Sequence, residues 1–253
     1  MTSPQRVLLV TGGSRGIGAA TARLAAQQRW AIAVNYRNAA DAAHALVAAI
    51  TRAGGAAAAF AGDVASNDDV LKLFDAVDKQ FGAGRLGGLV NNAGIVGSTQ
   101  RIDEMTAERV QRMFAVNVFG TLYCAREAVL RMSTRHGGRG GAIVNVSSAA
   151  ARLGSAGQYV DYAASKAAVD TFTLGLAREV ASEGIRVNAV RPGIIDTEIH
   201  ASGGEPDRAA RLANVVPMQR AGHADEVARA VLWLLSDAAS YCTGAVIDVS
   251  GGR

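Results

Sequence analysis

The pattern that decides the fold is Arg6-Val7-Leu8-Leu9-Val10-Thr11-Gly12-Gly13-Ser14-Arg15-Gly16-Ile17-Gly18. Its first half is a short apolar run typical of a buried parallel strand, and Ala19 to Gln28 beyond it predicts a helix. Glycines in the turn between them allow the close approach of a pyrophosphate, and the helix N-terminus offers free N–H groups. The stretch predicts a nucleotide-binding strand-turn-helix unit, although its G-x-x-x-G-x-G spacing differs from the common dinucleotide fingerprint.

Strands and helices alternate along the rest of the chain. The pattern predicts six further strands, at Ala31 to Val34, Ala56 to Ala61, Leu86 to Val90, Ala142 to Val146, Ile185 to Val190 and Gly244 to Val249. It predicts helices at Ala39 to Arg52, Ser66 to Phe81, Met105 to Arg135, Gln158 to Glu183 and Asp225 to Leu235. Such alternation is typical of an α/β fold with a doubly wound parallel sheet, Rossmann-like, whose ligand sites lie at the carboxyl ends of the strands. We predict a single domain over 1–253, in which a less regular segment of about 197–220 is a lid.

Composition excludes several classes of protein. The chain has 253 residues, of which 49% are hydrophobic and 19% charged, so it is not intrinsically disordered. No apolar run reaches the roughly 20 residues needed to cross a bilayer, and no signal-peptide pattern precedes the first strand, which predicts a cytoplasmic protein with no membrane partner. The net charge of +4 is spread along the chain, which argues against nucleic-acid binding. Two separated cysteines and four scattered histidines predict no metal site.

Tyr162 and Lys166 stand four residues apart on one face of a predicted helix. A phenol has an ordinary pKa of about 10, and a neighbouring ammonium favours the phenolate and lowers that pKa. The pair could therefore move a proton. Taken alone, the same spacing also fits an ordinary helix with a surface lysine.

Polar or glycine-containing turns follow the other predicted strands. They are Asp63-Val64, Asn91-Asn92-Ala93-Gly94, Ser147-Ser148 and Arg191-Pro192-Gly193. Asn117 interrupts the apolar stripe of the long predicted helix. It is either a satisfied structural amide or a group that binds ordered water near a site.

In this order the motifs resemble the short-chain dehydrogenase/reductase family, in its single-domain branch. The resemblance covers nearly the whole chain and rests on Thr11 to Gly18, Asp63-Val64, Asn91 to Gly94, Asn117, the serine after the fifth strand, Tyr162-x-x-x-Lys166, and Pro192-Gly193 with Thr197. It implies an NAD(P)-dependent oxidoreductase that acts on a small-molecule carbonyl or alcohol. It also implies a homo-oligomer, commonly a homotetramer.

The resemblance assigns four catalytic roles. Tyr162 is the general acid or base, Lys166 lowers its pKa and holds the nicotinamide ribose, Ser148 binds the substrate oxygen, and Asn117 positions a proton-relay water. Ser148 lies 14 residues before Tyr162, one more than is usual in the family, which we interpret as a one-residue insertion within 155–160. Tyr159 is a rival base without a partner lysine.

The same resemblance implies the cofactor contacts. They are Gly12, Ser14, Arg15, Gly16, Ile17, Gly18, Tyr36, Arg37, Asp63, Val64, Asn91, Ala93, Gly94, Tyr162, Lys166, Pro192, Gly193, Ile195 and Thr197. No acidic residue ends the second strand, where many NAD-binding folds hold the ribose 2′-hydroxyl. Arg15 and Arg37 add positive charge there. These residues predict that NADP(H) is preferred, with NAD(H) possible.

Several functions stay open at this stage. The leading hypothesis is a carbonyl reductase or alcohol dehydrogenase. A β-ketoacyl thioester reductase is the alternative, although Glu183 stands where carrier-protein reductases often have a basic residue. A glucose-like polyol dehydrogenase is another, because of the Asn-Tyr-Arg ending of the second strand. A cofactor-sensing scaffold protein is the non-enzymatic reading.

Overall fold

Seven parallel strands form one sheet in the computed structural model, which describes residues 5–199 and 203–253. The strands of this sheet are β1 (Val7–Val10), β2 (Ala31–Tyr36), β3 (Ala57–Ala61), β4 (Leu86–Asn91), β5 (Gly141–Val146), β6 (Ile185–Pro192) and β9 (Val246–Val249). Two further strands of two residues each, β7 (Ile195–Asp196) and β8 (Gly222–His223), lie outside it. The sheet order is β3-β2-β1-β4-β5-β6-β9, while β7 pairs separately with β8. Strands β2 and β3 are added on one side of β1, and β4 and the later strands on its other side. Ligands bind at this switch point between β1 and β4 in this architecture. The predicted α/β fold is confirmed.

Helices cover both faces of the sheet. They are α1 (Gly16–Gln27), α2 (Ala40–Arg52), α3 (Asn67–Phe81), α4 (Ala107–Phe114), α5 (Gly120–Met132), α6 (Ala150–Leu153), α7 (Val160–Val180), α8 (Arg208–Arg211) and α9 (Ala224–Leu235). The predicted strands and long helices are all present, with ends that differ by at most three residues.

Successive side chains of β1 point into different cores, as the pleat of a strand requires. Val7 and Leu9 pack with α3, α5 and α7 on one face. Leu8 and Val10 pack with α1, α2 and α9 on the other. Because both faces are covered, the strand is apolar throughout, which explains the continuous hydrophobic run in the sequence.

The predicted long helix is continuous but not uniform. It runs as α4, a π-helical segment Ala115–Phe119 and α5. Ala107–Met132 is long and apolar enough to cross a membrane, since it contains a window of 18 residues with a mean hydropathy of 1.2. However, 56% of that window is buried inside the fold, and α5 packs on β4 and α3. It is therefore a core helix of the sandwich.

The segment predicted to be a lid carries little regular structure. Residues 200–202 of it lie outside the described residues. Beyond them come α8 and the 3-10 turn Ala213–Val215. Ala209 and Val216 pack with Ile194 in a small separate core. Its closure over a ligand stays a prediction.

Candidate active site

A cavity of about 1110 Å³ opens at the carboxyl ends of the strands. Most residues predicted to form a site line it: Gly12, Ser14, Arg15, Gly16, Ile17, Tyr36, Arg37, Asp63, Val64, Ala93, Gly94, Ser148, Tyr162, Lys166, Pro192, Gly193, Ile195 and Thr197. Three predicted residues, Gly18, Asn91 and Asn117, are not on its wall.

The glycine turn presents backbone N–H groups to this cavity. Gly12 and Gly16 have φ of 57° and 54°, in the left-handed region that favours glycine. A Cβ on Gly12 would lie 2.9 Å from the Ala93 Cα. No side chain caps the N-terminus of α1 at Arg15, and its first turn has no acidic residue. The free N–H groups and the helix dipole therefore fit an anionic phosphate.

Side chains lock this turn to its neighbours. The Thr11 Oγ1 atom accepts hydrogen bonds from the backbone N–H groups of Asn92 and Ala93, each at 3.0 Å. The Asn92 Nδ2 atom donates to the backbone oxygens of Thr11 and Gly12. Asn35 Oδ1 accepts from the Gly12 N–H at 3.3 Å. Asn35 and Asn92 also line the cavity and were not assigned from the sequence. The available signal for Asn35 in the sequence was an amide directly after an apolar strand, and the structure buries that amide.

Charged side chains gather where β2 and β3 end. The Asp63 Oδ2 atom lies 2.8 Å from an Arg112 nitrogen and 3.7 Å from an Arg37 nitrogen. Arg37 Nε also donates to Asn38 Oδ1 at 3.3 Å. Arg15 lines the same cavity. Arg112 is a new member of the site, because only the fold brings α4 to this wall.

Tyr162 is held as a protonated phenol. Burial raises the pKa of Tyr162 to about 12, although a side-chain hydrogen bond with Ser148 lowers it and Tyr159 raises it. The rings of Tyr159 and Tyr162 meet edge to face, with centroids 5.6 Å apart. The phenol therefore carries its proton at neutral pH.

The pKa of that phenol is raised in the presence of Lys166, whereas the sequence predicted that it would be lowered. Its Nζ atom lies 5.7 Å from the centre of the Tyr162 ring and donates to the Val146 oxygen at 2.8 Å. Burial lowers the pKa of Lys166 to about 8, and Asp170 raises it. Burial is the largest cause of both shifts, because desolvation disfavours the charged form of each group.

The two serines differ in their hydrogen bonds, although both line the cavity. Ser147 is buried and donates through Oγ to the Lys166 backbone oxygen at 3.2 Å. Ser148 lines the cavity and hydrogen-bonds with Tyr162. Between Ser148 and Tyr162 the chain passes through an irregular turn, in which Ser155 has a φ of 52°. This turn takes up the 14-residue spacing, so Ser148 and Tyr162 still meet.

Comparison with known proteins agrees with this arrangement. A family profile described as enoyl-(acyl carrier protein) reductase matches residues 12–253. The chain belongs to the short-chain dehydrogenase/reductase family. It is 55% identical to the uncharacterized oxidoreductase YgfF of Escherichia coli K12, over 98% of this chain and 99% of that protein. It is 39% identical to a 3-oxoacyl-[acyl-carrier-protein] reductase of Synechocystis sp., over 98% and 96%. A mutant short-chain dehydrogenase/reductase of Serratia marcescens superposes with a TM-score of 0.89 at 35% identity, over 98% of both chains.

Membership of this family makes the chain an NAD(P)-dependent oxidoreductase. The cavity fits such a dinucleotide on its own evidence. The uncapped start of α1 suits the pyrophosphate, and the arginines near Asp63 lie at the end of β2, where an adenosine ribose is expected.

Gly18 and Asn91 support the dehydrogenase site from behind. A Cβ on Gly18 would lie 2.5 Å from the Asn92 Nδ2 atom and 2.7 Å from the Gly12 oxygen, so α1 packs against the turn only because this residue is glycine. The Asn91 Nδ2 atom donates to Asn145 Oδ1 at 2.9 Å in the core. Neither residue is brought to the cavity wall as a cofactor contact.

Asn117 is a satisfied amide within the π-helical segment. Its Oδ1 atom accepts from the Ile95 N–H at 2.8 Å, and its Nδ2 atom donates to the Ile95 oxygen and to Ser165 Oγ, each at 3.0 Å. A Cβ on Gly94 would lie 3.4 Å from both Asn117 Oδ1 and Lys166 Nζ. Asn117 thus fixes the chain after β4 beside the lysine, and its role in a water relay stays a prediction.

A polar cluster from distant segments closes the cavity beyond Tyr162. The Arg208 NH2 atom donates to the Tyr159 hydroxyl at 2.5 Å and to Gln158 Oε1 at 2.7 Å, and the guanidinium lies 5.2 Å from the Tyr159 ring centre. Its NH1 atom binds Glu205, which also accepts from Thr99 Oγ1 at 2.6 Å. Sequence analysis missed Arg208, which is 8% exposed and lines the cavity.

A buried ion pair anchors the neighbouring loop. The Arg109 Nε atom lies 2.9 Å from the Oδ2 atom of Asp161, the residue that precedes Tyr162. Arg109 also donates to the Ser98 oxygen at 2.8 Å and to Gln100 at 2.7 Å. The loop after β4 is thereby attached to the first turn of α7.

Proposed function

We propose that the protein reduces a small-molecule carbonyl to an alcohol, or catalyses the reverse reaction, with NADP(H) as the preferred cofactor and Tyr162 as the acid or base. One observation carries this proposal. A protonated phenol, hydrogen-bonded with Ser148, lines the same cavity as an uncapped helix N-terminus. A proton donor thus shares a space with a phosphate site.

The residues support the chemistry as follows. The cofactor supplies a hydride to the carbonyl carbon, and negative charge then develops on the carbonyl oxygen. The Ser148 hydroxyl and the Tyr162 phenol donate hydrogen bonds to that oxygen, and Tyr162 gives up its proton. The ammonium of Lys166, fixed by the Val146 oxygen, stabilises the phenolate that remains.

The preference for NADP(H) rests on charge at the end of β2. Arg15 and Arg37 line the cavity there, and Tyr36 stands where an aspartate would repel a 2′-phosphate. Each charge-assisted hydrogen bond contributes about 1.5–3 kcal/mol, or roughly ten- to a hundredfold in preference, before solvent screening reduces it.

The test of this preference compares NADPH with NADH on one accepted carbonyl. We expect a higher kcat/KM with NADPH for the wild type, and a relative shift toward NADH in the Tyr36→Asp, Arg37→Ala double variant. A wild type that prefers NADH, or a double variant without this shift, would contradict the assignment.

Two other substrate classes follow from the relatives and from the sequence. The Synechocystis relative is named as a 3-oxoacyl-[acyl-carrier-protein] reductase, so a 3-ketoacyl thioester is the second candidate substrate. A glucose-like polyol is the third. A screen of ketones, sugars and acyl thioesters, with NADPH consumption or formation as the signal, distinguishes them. Cofactor binding without turnover of any class would instead support the sensing scaffold.

We also propose a cytoplasmic homotetramer. Large apolar side chains are exposed on the outer helices, including Phe119, Leu130, Leu174 and Trp233, and such surface is typical of subunit contacts. Light scattering after size exclusion tests the assembly, since a monomer would show that these side chains serve another purpose.

A further inference from the structure

Three charged side chains meet on the cavity wall where β2 and β3 end. Asp63 follows β3, Arg37 follows β2, and Arg112 projects from α4. Asp63 Oδ2 lies 2.8 Å from the Arg112 NH2 atom but 3.7 Å from the Arg37 NH1 atom. Its other oxygen accepts from the Ala65 N–H at 3.0 Å. Arg112 is therefore the close partner of this carboxylate, and the contact with Arg37 is long.

The two guanidinium groups share a single oxygen of Asp63, so they compete for it. Within residues 5–199 and 203–253, the other side-chain hydrogen bond of Arg37 is the one to Asn38 at 3.3 Å, and the Arg37 side chain is about half exposed. Without Arg112, Arg37 would be the one cation within reach of Asp63 among the contacts described for that carboxylate. The carboxylate would then draw Arg37 toward itself, because opposite charges attract more strongly at shorter distance.

The count of charges leads to the same result. Two arginines and one aspartate give this cluster a formal charge of +1, and loss of Arg112 would reduce it to zero. A phosphate group near Arg37 would then meet a neutral pair. A ligand that carries a hydroxyl in place of that phosphate would lose much less.

We propose that Arg112 is a positioning residue for cofactor selection: it holds the Asp63 carboxylate, so that Arg37 stays available to a ribose 2′-phosphate. This inference rests on the NADP(H) preference proposed above, and adds a residue of α4 to the two arginines named there. Arg112 acts through Asp63 and Arg37, and does not bind the phosphate itself.

The experiment measures binding and needs no substrate. Dissociation constants of NADPH and NADH are determined from nicotinamide fluorescence for the full-length wild type and for Arg112→Gln. We expect Arg112→Gln to weaken NADPH binding about three- to tenfold, because the pair is partly solvent-exposed, and to change NADH binding less than about twofold. Equal weakening of both cofactors, or no change for NADPH, would overturn the proposal.

A second substitution separates positioning from direct contact. Asp63→Asn removes the charge that Arg112 is proposed to hold. In the Asp63→Asn background, Arg112→Gln should change the ratio of the two dissociation constants less than about twofold. If the ratio still falls by the full amount, Arg112 contacts the phosphate directly, and the positioning role is wrong.

Two further variants complete the design. Arg112→Lys keeps the charge and should retain most of the wild-type ratio. Arg101→Gln removes an exposed arginine whose partner, Asp103, lies 3.0 Å away, and should leave both constants unchanged. A wild type that binds NADH more tightly would refute the proposed preference but not this inference, which predicts a change in the ratio between variants.

Discussion

The two ends of the cavity are built from different materials. At the glycine turn, backbone groups and neutral side chains such as Thr11, Asn35 and Asn92 fix the geometry. Beyond Tyr162, charged side chains from separate segments do so, with Arg208 and Glu205 at the centre. The glycine turn presents a rigid surface to the pyrophosphate, which is the same in every dinucleotide of this type. The end beyond Tyr162 depends on a few long side chains that lie outside the strands of the sheet.

This difference separates the residues that serve the reaction from the residues that recognise a particular substrate. Neutral hydrogen bonds to the backbone fix the turn at little cost, whereas the ion pair of buried Arg208 with Glu205 costs desolvation and side-chain entropy. We therefore expect substitutions at the chemical centre to abolish turnover, and substitutions at the Arg208 end to alter recognition more than rate.

The largest effect is expected at the boundary between the two ends. Tyr162→Phe keeps the ring and removes the proton donor, so kcat should fall by more than about a hundredfold. The dissociation constant of NADPH should stay within about twofold of the wild type. Tyr159→Phe is the matched control, since it removes a phenol one turn away. Near-normal turnover by Tyr162→Phe would transfer the role to another group.

A smaller loss is expected from the neighbouring hydroxyl. Ser148→Ala removes a donor to the developing oxyanion and should lower kcat by about ten- to a hundredfold. Ser147→Ala should have a lesser effect, because Ser147 is buried and bonds to the backbone of Lys166. Steady-state kinetics of both variants on one substrate decide between them, and the opposite ranking would show that the wrong serine was chosen.

The Arg208 end should respond differently. Arg208→Gln removes the contacts with Glu205 and Tyr159, so the segment after residue 203 should be held less firmly. We expect KM for the carbonyl to rise several-fold while kcat changes less than about threefold and NADPH binding is unchanged. Limited proteolysis should show earlier cleavage within 203–220. A variant that loses kcat alone would place Arg208 at the chemical centre instead.

The smallest effect concerns stability and pH. The folded pKa of Lys166 is about 8, below its ordinary value of 10.5, so the unfolded chain binds this proton more tightly. The resulting penalty is full below pH 8 and disappears as the pH rises toward 10.5. Between pH 7.5 and 9.5 the wild type should gain about 1–2 kcal/mol in free energy of unfolding relative to Lys166→Met. Urea titrations at each pH measure it, and parallel curves for both proteins would refute the shift. Burial of Tyr162 has the opposite sign, since stability held below pH 10 is lost as the pH rises toward 12.

The sequence predicted the geometry of the fold better than the electrostatics of the site. Strand periodicity and the glycine turn were sufficient to place β1, α1 and the cavity. The raised pKa of Tyr162 was not predicted, because burial of a side chain is a property of the whole fold.

Residues that act through distant partners were out of reach of the sequence. Arg208 binds Gln158, which is 50 positions away, and Thr99 binds Glu205 across 106 positions. Local patterns carry no record of such pairs. The position of the Asn91 side chain in the core was out of reach for a related reason, since the end of a strand does not reveal whether a side chain faces a ligand or a helix.

The position of β1 in the middle of the sheet has a consequence for synthesis on the ribosome. One edge of β1 pairs with β2 soon after it is made, but the other must wait for β4, which ends at Asn91. Until then an apolar strand has an open hydrogen-bonding edge that other chains can join. The nascent protein therefore exposes this edge while only its first 90 or so residues have emerged, before the site exists at all.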